Sequence, residues 1–199
     1  MRKAYCFDLD GTVTREELLP LIAKELGLFD EITALTEATI KGVIPFKKSF
    51  LLRCRLLQDI PVAKVSEIVS SVPTYAMIVD FIRENRNDCY VVTGNLDVWV
   101  KPLINALGCG FFSSKSNLNN GKLNGGIEVI DKSDAINELR KAYHTIISIG
   151  DGMGDVSMFE SSDVGIAFGG THYPIKSLIQ VSDYIVFDER ALCELLRMR

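Results

Sequence analysis

Hydrophobic and polar positions change their spacing twice along the chain. Residues 3 to 9, Lys-Ala-Tyr-Cys-Phe-Asp-Leu, make a short apolar stretch that stops at Asp10-Gly11-Thr12, the signature of a buried strand running into a turn. From Glu16 to Val72 apolar residues fall three and four apart, as in Leu18, Leu19, Ile22 and Leu26 and again in Phe50, Leu51 and Leu57, which is a helical period. Breaks near Gly27, at 42–45 and at 59–61 cut this stretch into several helices without strands. After Pro73 the rhythm is strand, turn, helix. It predicts a helix over 77–84, a strand over 89–92, and a helix opened by Thr93-Gly94-Asn95 that runs to Leu107. Residues 111–118 and 122–129 flank Asn119-Asn120-Gly121 and predict a hairpin. A helix over 133–142, a strand over 145–149, a loop over 150–155, a helix to Ser161 and short strands over 164–168 and 184–186 complete the expected α/β fold.

Length and composition sharpen this picture. At about 150 residues per domain, 199 residues suit one domain carrying an insert better than two equal domains. With 47% hydrophobic and 24% charged residues the composition is that of a globular protein, which excludes disorder and collagen-like repeats. A net charge of −4 and no long Lys/Arg block argue against nucleic acid as a partner. The mean hydropathy of +0.16 fits a well-filled core, yet no apolar run approaches the roughly 20 residues needed to span a bilayer, so no membrane partner is expected. Asp8 and Asp10 interrupt the first apolar stretch before a signal-peptide core can form, so the expected location is cytoplasmic. The five cysteines are scattered and odd in number, with no CxxC pair, and read as core residues rather than disulfides or zinc ligands.

Candidate chemistry gathers in four places: Asp8-Leu9-Asp10-Gly11-Thr12, Thr93-Gly94, Lys132, and Asp151-Gly152-Met153-Gly154-Asp155. All are expected at strand ends, where open α/β sheets bind ligands. Asp and Gly are also good turn formers, and that suffices for either acidic loop alone. It does not account for both loops ending strands beside a Thr-Gly and a lysine. Three or four converging carboxylates call for a counter-ion, and a hard cation that keeps waters and takes one or two carboxylates plus a phosphate is magnesium. Thr93, backbone amides at a helix N-terminus and Lys132 then suit a phosphoryl group. Asp8 can act as nucleophile through an aspartyl-phosphate, with Asp10 protonating the leaving oxygen and later deprotonating the attacking water.

The DLDGT stretch, Thr93 after an apolar strand, the lone Lys132 and the GDGMGD loop together resemble the four ordered motifs of the haloacid dehalogenase-like phosphatases. The resemblance spans essentially the whole chain. It implies a three-layer Rossmann-like parallel-sheet core, Asp8 as nucleophile, Asp10 as acid/base, and magnesium held by Asp8, the Asp10 carbonyl and Asp151, with Asp155 orienting the metal shell. The long helical stretch between Asp8 and Thr93 then reads as a small helical-bundle cap over 14–74, inserted in a core formed by 1–13 and 75–199. Within the superfamily the chain is similar to phosphoserine phosphatases: Glu17 falls where they bind the substrate amino group, and Phe46 and Arg53 where they have a phenylalanine and a carboxylate-binding arginine. Gly94 and Asn95 complete the implied substrate contacts.

Asn95 departs from that subgroup's second glycine, Gly154 from its asparagine, and the Gly169-Gly170-Thr171-His172-Tyr173 loop is longer. Glu17 at a helix start also serves dipole compensation, and an arginine on a helix is often solvated. His172 and Tyr173 read as surface-loop residues, with the site entrance as the alternative. Trp99 and the Phe111-Phe112 pair read as packing. The expected partner is a small phosphorylated metabolite, and the expected assembly a monomer or homodimer. Three functions remain open: hydrolysis of phosphoserine or a similar amino-acid or amino-alcohol phosphate; the same chemistry on a sugar or alcohol phosphate, or transfer to an alcohol acceptor; and a non-enzymatic receiver-like module.

Overall fold

The computed structural model describes residues 2–198. Six parallel strands form one sheet in the order β3-β2-β1-β6-β7-β8. They are β1 (Lys3–Phe7), β2 (Cys89–Leu96), β3 (Gly110–Ser114), β6 (Thr145–Gly150), β7 (Val164–Phe168) and β8 (Tyr184–Val186). A two-stranded ribbon, β4 (Leu118–Asn119) with β5 (Lys122–Leu123), stands apart. Because side chains alternate along a strand, each strand feeds two cores. Phe7, Val91, Ile149 and Ile166 join the cluster holding Phe81 of α5 (Ala76–Glu84), Trp99 of α6 (Asp97–Leu107) and Leu192 of α10 (Glu189–Met198). Ala4, Cys6, Val92 and Ala167 face the opposite cluster, with Ile136 of α7 (Lys132–Leu139), Met158 of α8 (Val156–Glu160) and Leu178 of α9 (Lys176–Gln180). Helices thus cover both faces, as a parallel sheet requires.

Between β1 and α5 the chain is helical: α1 (Leu18–Ala23), α2 (Phe29–Ile40), α3 (Phe46–Leu57) and α4 (Val62–Ser70). It leaves and rejoins the sheet domain at one point, where Thr14 and Thr74 form an isolated antiparallel bridge. Ile22, Ile32, Phe50, Cys54 and Val65 are fully or almost fully buried and belong to the larger core cluster. The 3.6-residue period therefore marks the faces these helices turn inward.

The structure corrects the sequence reading in three places. Residues 111–118 and 122–129 do not make one long hairpin. Gly110–Ser114 joins the main sheet beside β2, and the Asn120-Gly121 turn (φ 49° and 75°) closes only a two-residue ribbon. Phe111 and Phe112 pack on opposite sheet faces, which holds β3 in place, while positive φ at Gly125 and Gly126 breaks the return strand. Lys132 lies not at a strand end but in the first turn of α7, which Asp131 caps by accepting from the Ser133 amide at 3.0 Å. β2 runs on to Leu96, so Thr93, Gly94 and Asn95 belong to the strand rather than the helix start. Helices α9 and α10 are additions that the hydrophobic pattern did not single out. No helix among the described residues is long and apolar enough to cross a membrane.

Candidate functional site

β1 and β6 are neighbours in register, Phe7 opposite Ile149, and the sheet order reverses direction between them. That is the topological switch point, where the strand ends open a crevice. Asp8 follows β1, its amide donating to the Ile149 carbonyl at 2.8 Å, and Asp151 follows β6. Gly11 lies in the turn between Asp8 and the helical segment with φ +71°, and a Cβ there would sit 2.3 Å from Asp151 Oδ2. A glycine is needed for both conformation and space.

Lys132 ties the acids together. Its Nζ donates to Asp8 Oδ1 at 2.5 Å and to Asp155 Oδ1 at 2.6 Å, and all three residues are buried. The other Asp155 oxygen accepts from the amides of Asp151 and Gly152, both at 3.0 Å, so both carboxylate oxygens are engaged in holding the loop and the lysine. Asp151 Oδ2, by contrast, is buried and has no hydrogen-bond partner among the described residues. One oxygen each from Asp8, Asp151 and Asp155 lie within 4.8 Å of one another. Burial and the neighbouring Asp155 push the Asp8 carboxyl well above its ordinary range, against the opposing pull of Lys132. Burial and Asp8 do the same to Asp151.

Asp10 is set apart from this cluster. Its Oδ1 accepts from the Leu18 amide at 2.8 Å, at the start of α1, and its Oδ2 from Asn95 Nδ2. Burial, with Glu17 adding to it, raises its pKa to about 7. Thr93 Oγ1 accepts from the Asn95 amide at 3.1 Å and is fully buried. Asn95, a departure from the subgroup pattern, thus joins the Leu18 amide in orienting Asp10, a contact that motif spacing did not reveal.

A cavity of about 520 Å³ runs from these acids to the helical segment, lined among others by Glu17, Phe46, Arg53 and Lys132. Phe46 crosses to the sheet domain: a Cβ on Gly94 would meet its ring at 2.2 Å, so the glycine makes room for that contact. Arg53 is buried on α3, donating from Nη1 to Thr36 Oγ1 at 2.8 Å and from Nε to the Ser49 carbonyl at 3.4 Å. Burial lowers its pKa below the usual arginine range. Among the described residues it has no carboxylate salt-bridge partner.

His172 lies on a partly exposed loop, as expected, but makes a contact the sequence did not show. Its Nε2 lies 3.2 Å from Glu17 Oε1, and that hydrogen bond raises the imidazole pKa. Tyr173 instead packs against Phe187 and is 74% exposed. Trp99 is buried packing, as expected.

The haloacid dehalogenase-like hydrolase family profile matches residues 6–160, and the chain belongs to that family. Its relatives narrow the resemblance. The phosphoserine phosphatase of Methanocaldococcus jannaschii is 28% identical over 209 residues, covering 98% of this chain and 97% of that one. That of Archaeoglobus fulgidus is 30% identical over 180 residues, covering 84% of this chain and 52% of its own. Among solved structures, a substrate-bound phosphoserine phosphatase superposes with a TM-score of 0.85 at 25% identity, covering all of this chain and 98% of that one. A phospho-aspartyl intermediate analogue of phosphoserine phosphatase gives 0.84 at the same identity, covering 98% of each chain.

Proposed function

We propose that this chain is a magnesium-dependent phosphomonoesterase that hydrolyses a small phosphorylated metabolite, phosphoserine or a similar amino-acid or amino-alcohol phosphate, through an aspartyl-phosphate. The observation that carries the proposal is the buried Asp8–Lys132–Asp155 chain beside an Asp151 oxygen that lacks a partner. A buried, unpaired carboxylate oxygen is costly, and a hard divalent cation answers that cost. Asp8 and Asp151 would hold the ion, with the Asp10 main-chain carbonyl as the family resemblance implies. When bound, such an ion supplies positive charge that offsets the charge of a phosphoryl group.

Each side chain then has a task. A carboxylate oxygen of Asp8 attacks phosphorus while the bond from phosphorus to the leaving oxygen breaks, and Asp10 gives that oxygen its proton. Water next attacks the phosphorus of the aspartyl-phosphate. Asp10 takes the water's proton, the bond from phosphorus to the Asp8 oxygen breaks, and inorganic phosphate leaves with Asp8 restored. A pKa of about 7 lets Asp10 serve both as donor and as acceptor near neutrality. Lys132 holds the Asp8 carboxylate in one orientation and adds positive charge where the phosphoryl group gathers negative charge. Thr93 and the backbone amides of the site add donors. The helical segment 14–74 acts as the cap, bringing Glu17, Phe46 and Arg53 over the leaving group, and Arg53 can take a carboxylate bidentately.

The test is release of inorganic phosphate from a panel of phosphate esters, with magnesium present and with it chelated. Hydrolysis that requires magnesium and is lost in Asp8→Asn supports the reading. An Asp8→Asn variant that hydrolyses p-nitrophenyl phosphate at the full rate overturns it.

A further inference from the structure

Glu17 and Arg53 both line the cavity and differ in how they are engaged, and one oxygen of Glu17 lies within 4.8 Å of an Asp151 oxygen and of a His172 nitrogen. Among the described residues Arg53 donates to a hydroxyl and a carbonyl and forms no carboxylate ion pair, although Glu17 and Asp10 act on its charge from further away, so its donors can turn to an incoming anion. Glu17 is already occupied: His172 Nε2 stands 3.2 Å from its Oε1.

The imidazole is held there by its surroundings. Thr171 Oγ1 and the Tyr75 hydroxyl are 3.0 Å apart, which ties the loop that carries His172 to the residue just after the helical segment ends. Tyr75 is fixed in turn by an edge-on contact with Phe168 at 5.1 Å and by the Arg15 guanidinium 4.2 Å above its ring. On the far side the ring edge is close to Gly11, where a Cβ would lie 3.4 Å from His172 Cδ2. A carboxylate that already accepts a hydrogen bond from a locked partner offers less to a substrate ammonium, which must displace that partner or share the charge.

Resting on the proposed phosphomonoesterase reading, we propose that His172 is a positioning residue that pairs with Glu17 and makes an amino group on the substrate dispensable. Phosphate esters of small hydroxy acids, with a carboxylate for Arg53 and no amine, are then substrates on equal terms with phosphoamino acids.

The experiment compares kcat/KM for O-phosphoserine with that for its desamino analogue, 3-phosphooxypropanoate. Reading both on each preparation cancels any loss of folded protein. Wild type is expected to turn over the two within about threefold. His172→Ala frees Glu17 and raises the preference for phosphoserine about tenfold, the order expected for one charge-assisted hydrogen bond, mostly through KM for phosphoserine. His172→Gln, which keeps a donor, stays near the wild-type ratio. Glu17→Gln placed on the His172→Ala background erases the gain. A wild-type preference for phosphoserine of tenfold or more, or equal ratios in His172→Ala and His172→Gln, overturns the inference. Failure on both substrates with p-nitrophenyl phosphate still hydrolysed also overturns it while leaving the phosphomonoesterase reading intact. Failure on p-nitrophenyl phosphate as well removes that reading, and the inference with it.

Discussion

Replacing Lys132 by methionine keeps an unbranched side chain one atom shorter and removes its charge. In the native protein the ammonium is the shared partner of Asp8 at 2.5 Å and Asp155 at 2.6 Å, with all three groups buried. Removing one member of a buried ion pair strands the rest, at about 3–5 kcal/mol. For a protein of this size each kcal/mol shifts Tm by about 2–4 °C, so the variant should melt about 6–20 °C lower in magnesium-free buffer at pH 8. The deficit should also depend on pH in a definite direction. Burial and Asp155 already raise the Asp8 pKa, and loss of Lys132 removes the main opposing influence. The folded variant therefore binds more protons than its unfolded chain, and its stability falls as pH rises. Lowering the pH from 8 toward 5.5 supplies the proton and should narrow the gap to wild type by up to about 1.4 kcal/mol per pH unit for each proton taken up. Thermal melts of both proteins at four pH values, followed by circular dichroism, measure this. A Tm within 2 °C of wild type at pH 8, or a deficit that grows on acidification, would refute the assignment of Lys132 as counter-charge to the acid cluster.

Three further outcomes test the site. Burial raises the pKa values of Asp8 and Asp151, so as carboxylates they work against folding as pH rises; on the proposed reading magnesium binds the ionised forms, and the Tm gain from a saturating dose should be larger at pH 7.5 than at pH 5. A gain that is flat with pH would contradict this. Asp10 must be protonated to donate to the leaving oxygen, and with a pKa of about 7 its protonated fraction falls above neutrality. The first-turnover rate with a poor leaving group should therefore decline on the alkaline side, and Asp10→Asn should lose about 10²–10⁴-fold and the alkaline limb with it. Gly94→Ala places a methyl group 2.2 Å from the Phe46 ring and should raise KM about tenfold; Phe46→Ala on that background should cost less than it does alone, read as a double-mutant cycle.

Much of the fold was legible because the two hydrophobic periods are clean. The short apolar runs of β1 and β6 reflect strands buried on both faces, and the three-to-four spacing of Leu18, Leu19 and Ile22 reflects helices buried on one. What escaped was set by tertiary context. Phe111 and Phe112 fit either a hairpin or a sheet strand, and only the neighbouring β2 decides for the sheet. Lys132 was identified by its charge and order in the chain, yet its place in α7 depends on the Asp131 cap, a polar residue that composition does not distinguish. The acids of the site were visible as two strand-terminal clusters. Two of their partners were not: Asn95 looked like a departure and His172 like a loop residue. Each gains its meaning from a contact spanning 85 and 155 positions of sequence respectively.

The same contacts bear on how an acidic site accepts an anion. The cavity gathers Asp8, Asp10, Glu17, Asp151 and Asp155 against the permanent charges of Lys132 and Arg53. A phosphate dianion brought to that set meets repulsion unless some acids are neutralised. The structure engages them by different means. Asp10 shares a proton near neutrality, Asp155 is spent on Lys132 and two amides, and Glu17 is paired with His172. Asp8 shares Lys132 with Asp155, and Asp151 keeps an oxygen with no hydrogen-bond partner among the described residues, so on the proposed reading the divalent cation belongs at Asp8 and Asp151. Substitution of either should therefore lower magnesium affinity far more than substitution of Asp155. Asp155→Asn should instead act through the loop, lowering stability with a smaller change in affinity, and magnesium titrations followed by Tm separate the two. Equal losses of affinity for Asp151→Asn and Asp155→Asn would show that Asp155 is itself a ligand.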